Sequence, residues 1–126
     1  MKAYVLANAV LYFLFAVWCT IRPDATATSL GFISRNAGGY SEYLVIYGGL
    51  QLGLAGFFLW TSRSEHLLPA GLMLALAMYV PIVIFRTVTV IRWWPVPTVT
   101  AATAALEIAL LVWGLIVFAN QRGLKP

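Results

Sequence analysis

The sequence predicts an all-α fold: a four-helix transmembrane bundle making a single domain over residues 1–126. Three observations carry this. Hydrophobic residues make up 62% of the chain and charged residues 10%, with a mean hydropathy of +0.88, whereas a soluble domain is about half apolar and a quarter charged. The apolar residues gather in four stretches, each close to the roughly 20 helical residues needed to cross a hydrocarbon core. Four such crossings and their loops consume all 126 residues, leaving none for a separate soluble module.

The first span is expected at 3–21, broken in polarity by Asn8 and stopped by Arg22-Pro23. Met1-Lys2, the apolar run and Asp24-Ala25-Thr26-Ala27 superficially resemble a cleavable signal peptide, but the run is long for one, so it reads as a retained span. The second span is expected at 42–61, with Ser41 as N-cap and Trp60 at the far interface. The third is expected at 67–91, with Pro81 near its middle, where a kink is anticipated. The fourth is expected at 96–120. Between the last two, Trp93-Trp94-Pro95-Val96-Pro97 makes an aromatic interfacial turn whose two prolines forbid a continuous helix.

Short connections make spans two and three, and three and four, antiparallel neighbours. The first loop, 22–41, is longer. Its stretch Asp24 to Phe32 predicts a short interfacial helix, and Asn36-Ala37-Gly38-Gly39 a flexible turn. By length alone this loop is the expected lid or partner surface.

The formal charge is +4, from eight Lys/Arg and four Asp/Glu. These basic residues are scattered at span ends, which suits anchoring to anionic lipid head groups and not nucleic-acid binding, since that needs a concentrated basic face. Lys2, Arg63, Arg122 and Lys125 flank one side; Arg22, Arg35 and Arg92 flank the other, joined by Arg86 if it snorkels. The split is nearly even. Arg86 set within a span and the charged N-terminus tip the expectation towards both termini in the cytoplasm of a bacterial inner membrane. Cys19 and His66 are the only residues of their types, which excludes an internal disulfide and a CxxC redox pair. No His/Cys/Asp/Glu cluster has metal-ligand spacing, so neither cofactor nor metal is expected.

Few residues are candidates for chemistry. At about 100° per residue, Glu42, Ile46, Gly49, Gly53 and Gly56 of span two share one face. Such a glycine stripe admits a second helix at close range, or leaves space for a flat lipid or a ligand tail. Glu42 is expected near the first turn of its helix, where a carboxylate favours the N-terminal dipole. In span four, Thr100, Thr103 and Glu107 share a face with Gly114, and Glu107 lies near mid-bilayer. A lone carboxylate there protonates or finds a cation, and Arg86 of the antiparallel span three overlaps it in depth. The two form either a structural pair or a polar pocket in which Glu107 titrates and Arg86 holds a phosphate or carboxylate. Asn8, with Tyr4, Tyr12 and Cys19, makes a polar stripe on span one and is expected to hydrogen-bond another helix. Asn8, Arg86, Thr100, Thr103 and Glu107 together form the expected polar interior.

The run from Glu42 to Leu54, including Tyr47-Gly48-Gly49-Leu50 and Leu52-Gly53-Leu54, resembles the acidic and glycine-rich signature of domain of unknown function 4345, as do Arg86 and Glu107. That family consists of small bacterial four-span membrane proteins of broadly DoxX-like character. Leu44 and Val45 stand here where relatives carry Arg-Ala. The resemblance implies the four-span fold with a long first and a short last loop, and implies no activity.

Function is then expected to be non-enzymatic: an accessory or scaffold subunit packing against other membrane proteins or itself, or binding lipid. A small transporter, proton-coupled through Glu107 and moving a lipophilic or cationic solute, is the alternative. A membrane enzyme using Glu107 on a lipophilic substrate comes third, with one carboxylate as its whole support.

Overall fold

The computed structural model describes residues 1–32 and 36–123, so Arg35 and Lys125, two of the flanking charges, lie outside the described residues. Among the described residues the chain is helical throughout its ordered elements. Four helices are long and apolar enough to cross a membrane: α1 (Lys2–Ile21), α3 (Ala37–Thr61), α4 (Leu68–Arg92) and α5 (Thr98–Gly123). A short helix, α2 (Pro23–Ser29), lies in the first loop. The protein is a multi-pass membrane protein.

Local chemistry explains the element ends. Pro23 opens α2, where its missing N–H is no loss and its φ is already helical, and Asp24 sits in the first turn. The start of α3 corrects the sequence reading. Asn36 is the N-cap, its side chain accepting the Gly39 N–H at 2.8 Å, so the Asn36-Ala37-Gly38-Gly39 run begins a helix and is not a flexible turn. Asn is among the best caps, and first-turn N–H groups have no intrahelical partner to lose. Ser41 and Glu42 therefore lie inside α3, past its first turn, and the expected dipole role for Glu42 does not hold. At the far end, α4 runs through Pro81 unbroken, and α5 begins at Thr98, just after Pro97.

Within α3, Leu44–Leu50 is a π-helical segment. Each π residue turns through less than the 100° of an α-helix, so the phase of side chains shifts across it. Tyr43 and Gly48, five positions apart, are both buried, and the regular spacing resumes at Ala55 and Phe58. One consequence is that Gly48, and not Gly49, meets α1.

Two buried clusters hold the fold. The larger joins Tyr4, Val5 and Ala9 of α1 to Phe58 of α3, Leu72, Ala75 and Tyr79 of α4, and Leu110 of α5. The smaller joins Cys19 of α1, Ala27 of α2 and Tyr43 of α3 at the opposite end. The Tyr43 hydroxyl donates to Thr26 Oγ1 at 2.8 Å, and Tyr40 bonds Asp24, so α2 is fastened onto the start of α3. Helix α1 packs along α3, and α4 along α5, with less contact between the two pairs. Every buried residue of α4 falls between Leu68 and Tyr79. Beyond Tyr79 the α4–α5 hairpin bares Ile84, Phe85, Val88 and Ile91. Such exposure would be costly in water; against acyl chains it is not, because lipid is as apolar as the side chains.

Three glycines allow the close approaches that build the bundle. A Cβ built on Gly114 would lie 2.5 Å from the Tyr4 hydroxyl oxygen, one on Gly71 2.6 Å from Thr61 Oγ1, and one on Gly48 2.7 Å from Thr20 Oγ1. No side chain fits at those distances.

Candidate functional site

The polar residues of the spans form two separate groups, Asn8 with Tyr79 between α1 and α4, and Arg86 with Glu107 between α4 and α5. Asn8 is fully buried. The Asn8 amide donates to the Tyr4 carbonyl at 2.9 Å, and its Oδ1 accepts from the Tyr79 hydroxyl of α4 at 2.8 Å. Asn8 thus makes the expected bond to another helix. In a medium without water that bond also fixes the rotation of α1 against α4.

Glu107 is clasped by Arg86 in a bidentate pair: Nε donates to Oε2 at 2.9 Å and Nη2 to Oε1 at 3.0 Å. The fork geometry of the guanidinium matches the carboxylate and uses both of its oxygens. The side chains retain 33% and 14% exposure respectively.

Of the anticipated polar interior, the structure joins Arg86 and Glu107 directly, whereas Asn8 bonds Tyr79 apart from them. Thr103 stands apart, its hydroxyl donating to its own helix at the Val99 carbonyl, 2.8 Å away. Thr100 is half-buried one turn nearer the start of α5. Tyr79 escaped the sequence reading. The signal for it was present: Tyr79 lies seven positions before Arg86, two helical turns on the same face, and Leu72 a further seven before.

The glycine stripe behaves differently from the inward glycines. Gly49, Gly53 and Gly56 are exposed, and a Cβ on any of them would meet nothing within 4 Å. They therefore lie on the outer surface of the bundle and take no part in its packing. Because the π segment turns the helix between Tyr43 and Gln51, Glu42 no longer shares a face with this stripe in the way an unbroken α-helix would dictate.

What this arrangement offers chemically is limited. Among the described residues, no group of three or more His, Cys, Asp or Glu is placed to hold a metal. Cys19 is buried beside Ala27 and Tyr43 and packs as a small apolar group. His66 is exposed in the turn between α3 and α4. No protein family matches the chain, and comparison with curated proteins and with solved structures finds no match either.

Proposed function

We propose that this protein is a non-enzymatic accessory subunit of the bacterial inner membrane, with both termini cytoplasmic. It packs against a transmembrane helix of another subunit, a different membrane protein or a second copy, through Gly49, Gly53 and Gly56 of α3, with lipid covering the remaining surface. The observation that carries this reading is the division of labour among the glycines. Gly48, Gly71 and Gly114 are filled by neighbours within the bundle, whereas the Gly49–Gly53–Gly56 face has nothing against it. Helices in lipid associate by close packing at small residues, because no hydrophobic drive separates helix from solvent. We likewise propose membership of the four-span family that the Glu42–Leu54 run, Arg86 and Glu107 resemble; it adds no activity.

The transporter and enzyme readings both need Glu107 to gain and lose a proton. Bidentate pairing with Arg86 opposes that, because the carboxylate is already neutralised and both oxygens are engaged. The pair is better suited to fixing the register of α4 against α5.

Native mass spectrometry from a gentle detergent tests the proposal. A co-purifying membrane protein or a homo-oligomer, lost in Gly53→Leu while the chain stays folded, is the expected result. A chain that is monomeric and alone in every detergent would overturn it.

A further inference from the structure

Away from the Asn8–Tyr79 bond and the Arg86–Glu107 pair, a cavity of about 570 Å³ opens where the first loop meets the start of α3, lined by Phe32, Asn36, Glu42, Tyr43, Ile46 and Tyr47 among others. We propose that it binds the quaternary ammonium head of an amphiphile, whose tail runs past Ile46 into the acyl region. This goes beyond the association reading and uses other residues. The volume falls within the roughly 300–1,000 Å³ of small-molecule sites.

Three features select this chemistry. The Tyr43 and Tyr47 rings stack at 4.7 Å with 23° between their planes, and Phe32 stands across both, at 5.9 Å and 79° to Tyr43 and 6.1 Å and 75° to Tyr47. Tyr43 itself is buried at 4% exposure, so the open corner is that of Tyr47 and Phe32, two planes 75° apart whose negative faces suit a methylated ammonium. Beside them stands Glu42, an exposed carboxylate with no hydrogen bond or ion pair among the described residues, and past the helix turn where the dipole would stabilise it. About 7 Å along α3 from its start, this carboxylate beside an aromatic wall favours a cationic over an anionic or neutral guest. Finally, the wall is built on the start of the π segment; such segments recur at functional sites. Here it lets Tyr47 line the cavity while Gly48 closes on Thr20.

An anion is disfavoured by Glu42. A primary ammonium is strongly hydrated and wants several acceptors, of which this wall offers few; a quaternary one sheds water readily and asks only for π faces and a negative charge. The cavity lies at the same end of the bundle as Trp93 and Trp94, at head-group level. Two sources share this chemistry, the choline head of a lipid and a free lipophilic cation.

The test uses the full chain in phosphatidylglycerol nanodiscs, titrated with labelled decyltrimethylammonium below its micellar concentration, with empty nanodiscs as background. Saturable binding of one ligand per chain is expected, absent for the uncharged isostere carrying carbon in place of nitrogen. Glu42→Gln should weaken binding about tenfold, Tyr47→Leu by a similar factor, and Tyr47→Phe should restore it. Circular dichroism checks that each variant is folded. Native mass spectrometry from mixed phosphatidylcholine and phosphatidylglycerol nanodiscs separates the sources: retained phosphatidylcholine supports the lipid head, and saturable decyltrimethylammonium binding without it supports the free cation. Binding that does not saturate, or that is equal in folded Glu42→Gln, overturns the proposal. A Glu42→Gln chain that still forms its complex separates loss of this site from loss of the subunit association.

Discussion

The Arg86–Glu107 pair lends itself to a double-mutant cycle of Arg86→Met, Glu107→Gln and the two combined. Removing one partner of a fully buried pair costs roughly 3–5 kcal/mol, but this pair retains 33% and 14% exposure, so that range is an upper bound. Hydrogen bonds between membrane helices average about 0.6 kcal/mol and reach about 1.7. Two of them, at 2.9 and 3.0 Å, give an expected coupling of about 1–2 kcal/mol. The singles should differ. Arg86 lies six residues before the end of α4 at Arg92, roughly 9 Å, so with Glu107 gone its long side chain can snorkel to the interface. Glu107 lies nine residues into α5, roughly 13 Å, and its short side chain cannot. Glu107→Gln is therefore expected to cost about 1 kcal/mol and Arg86→Met about 2, with the double variant recovering part of the loss. Reversible unfolding in mixed dodecyl maltoside–SDS micelles, followed by far-ultraviolet circular dichroism, reads all four stabilities. Should the double variant lose the plain sum of the two singles, the pair does not fix the hairpin, and the reasoning that places it there is wrong.

Other consequences follow from the packing. Gly114→Ala sets a Cβ 2.5 Å from the Tyr4 hydroxyl oxygen and 3.0 Å from Leu76 Cδ2, and is expected to cost about 1–3 kcal/mol by overpacking. Gly53→Ala meets nothing and should leave the isolated chain unchanged or up to about 1 kcal/mol more stable; the same unfolding titration compares the two, and equal effects would contradict the assignment of inward and outward glycines. Asn8→Leu removes the bond to Tyr79 and strands a buried hydroxyl, for an expected loss of about 1–2 kcal/mol, with Tyr79→Phe losing less. An Asn8→Leu chain as stable as the parent would mean that the α1–α4 bond contributes nothing.

The four spans were legible in the sequence because membrane solvent leaves a coarse signature. About twenty apolar residues in a row suffice to identify a crossing, whatever the details of packing. The ion pair was legible for the same reason, since Arg86 and Glu107 interrupt apolar surroundings at overlapping depths. Element starts were less so. Asn36-Ala37-Gly38-Gly39 has turn composition, and only the capping bond from Gly39 to Asn36 reveals a helix start. The π segment left no trace in the pattern, because Leu44, Val45, Ile46 and Leu50 are apolar at every phase, and a stripe drawn at 100° per residue ran straight through it. That is why the glycines were grouped with Glu42, and why Gly48, the one that meets α1, was not singled out. The aromatic corner was out of reach for a further reason: Phe32 joins Tyr43 and Tyr47 from the other side of a loop, and no local spacing encodes that.

The central claim, that the outer glycine face of α3 is where a partner helix sits, is tested most directly by photocrosslinking in native membranes. A photoreactive residue is placed in turn at 52 and 60, exposed positions that flank the glycine face, and at the buried positions 55 and 58, leaving the glycines themselves intact. Protein adducts are predicted at 52 and 60, with 55 and 58 reacting only within the chain. Adducts with lipid alone at every outward position, or protein adducts that follow the buried positions, would contradict it.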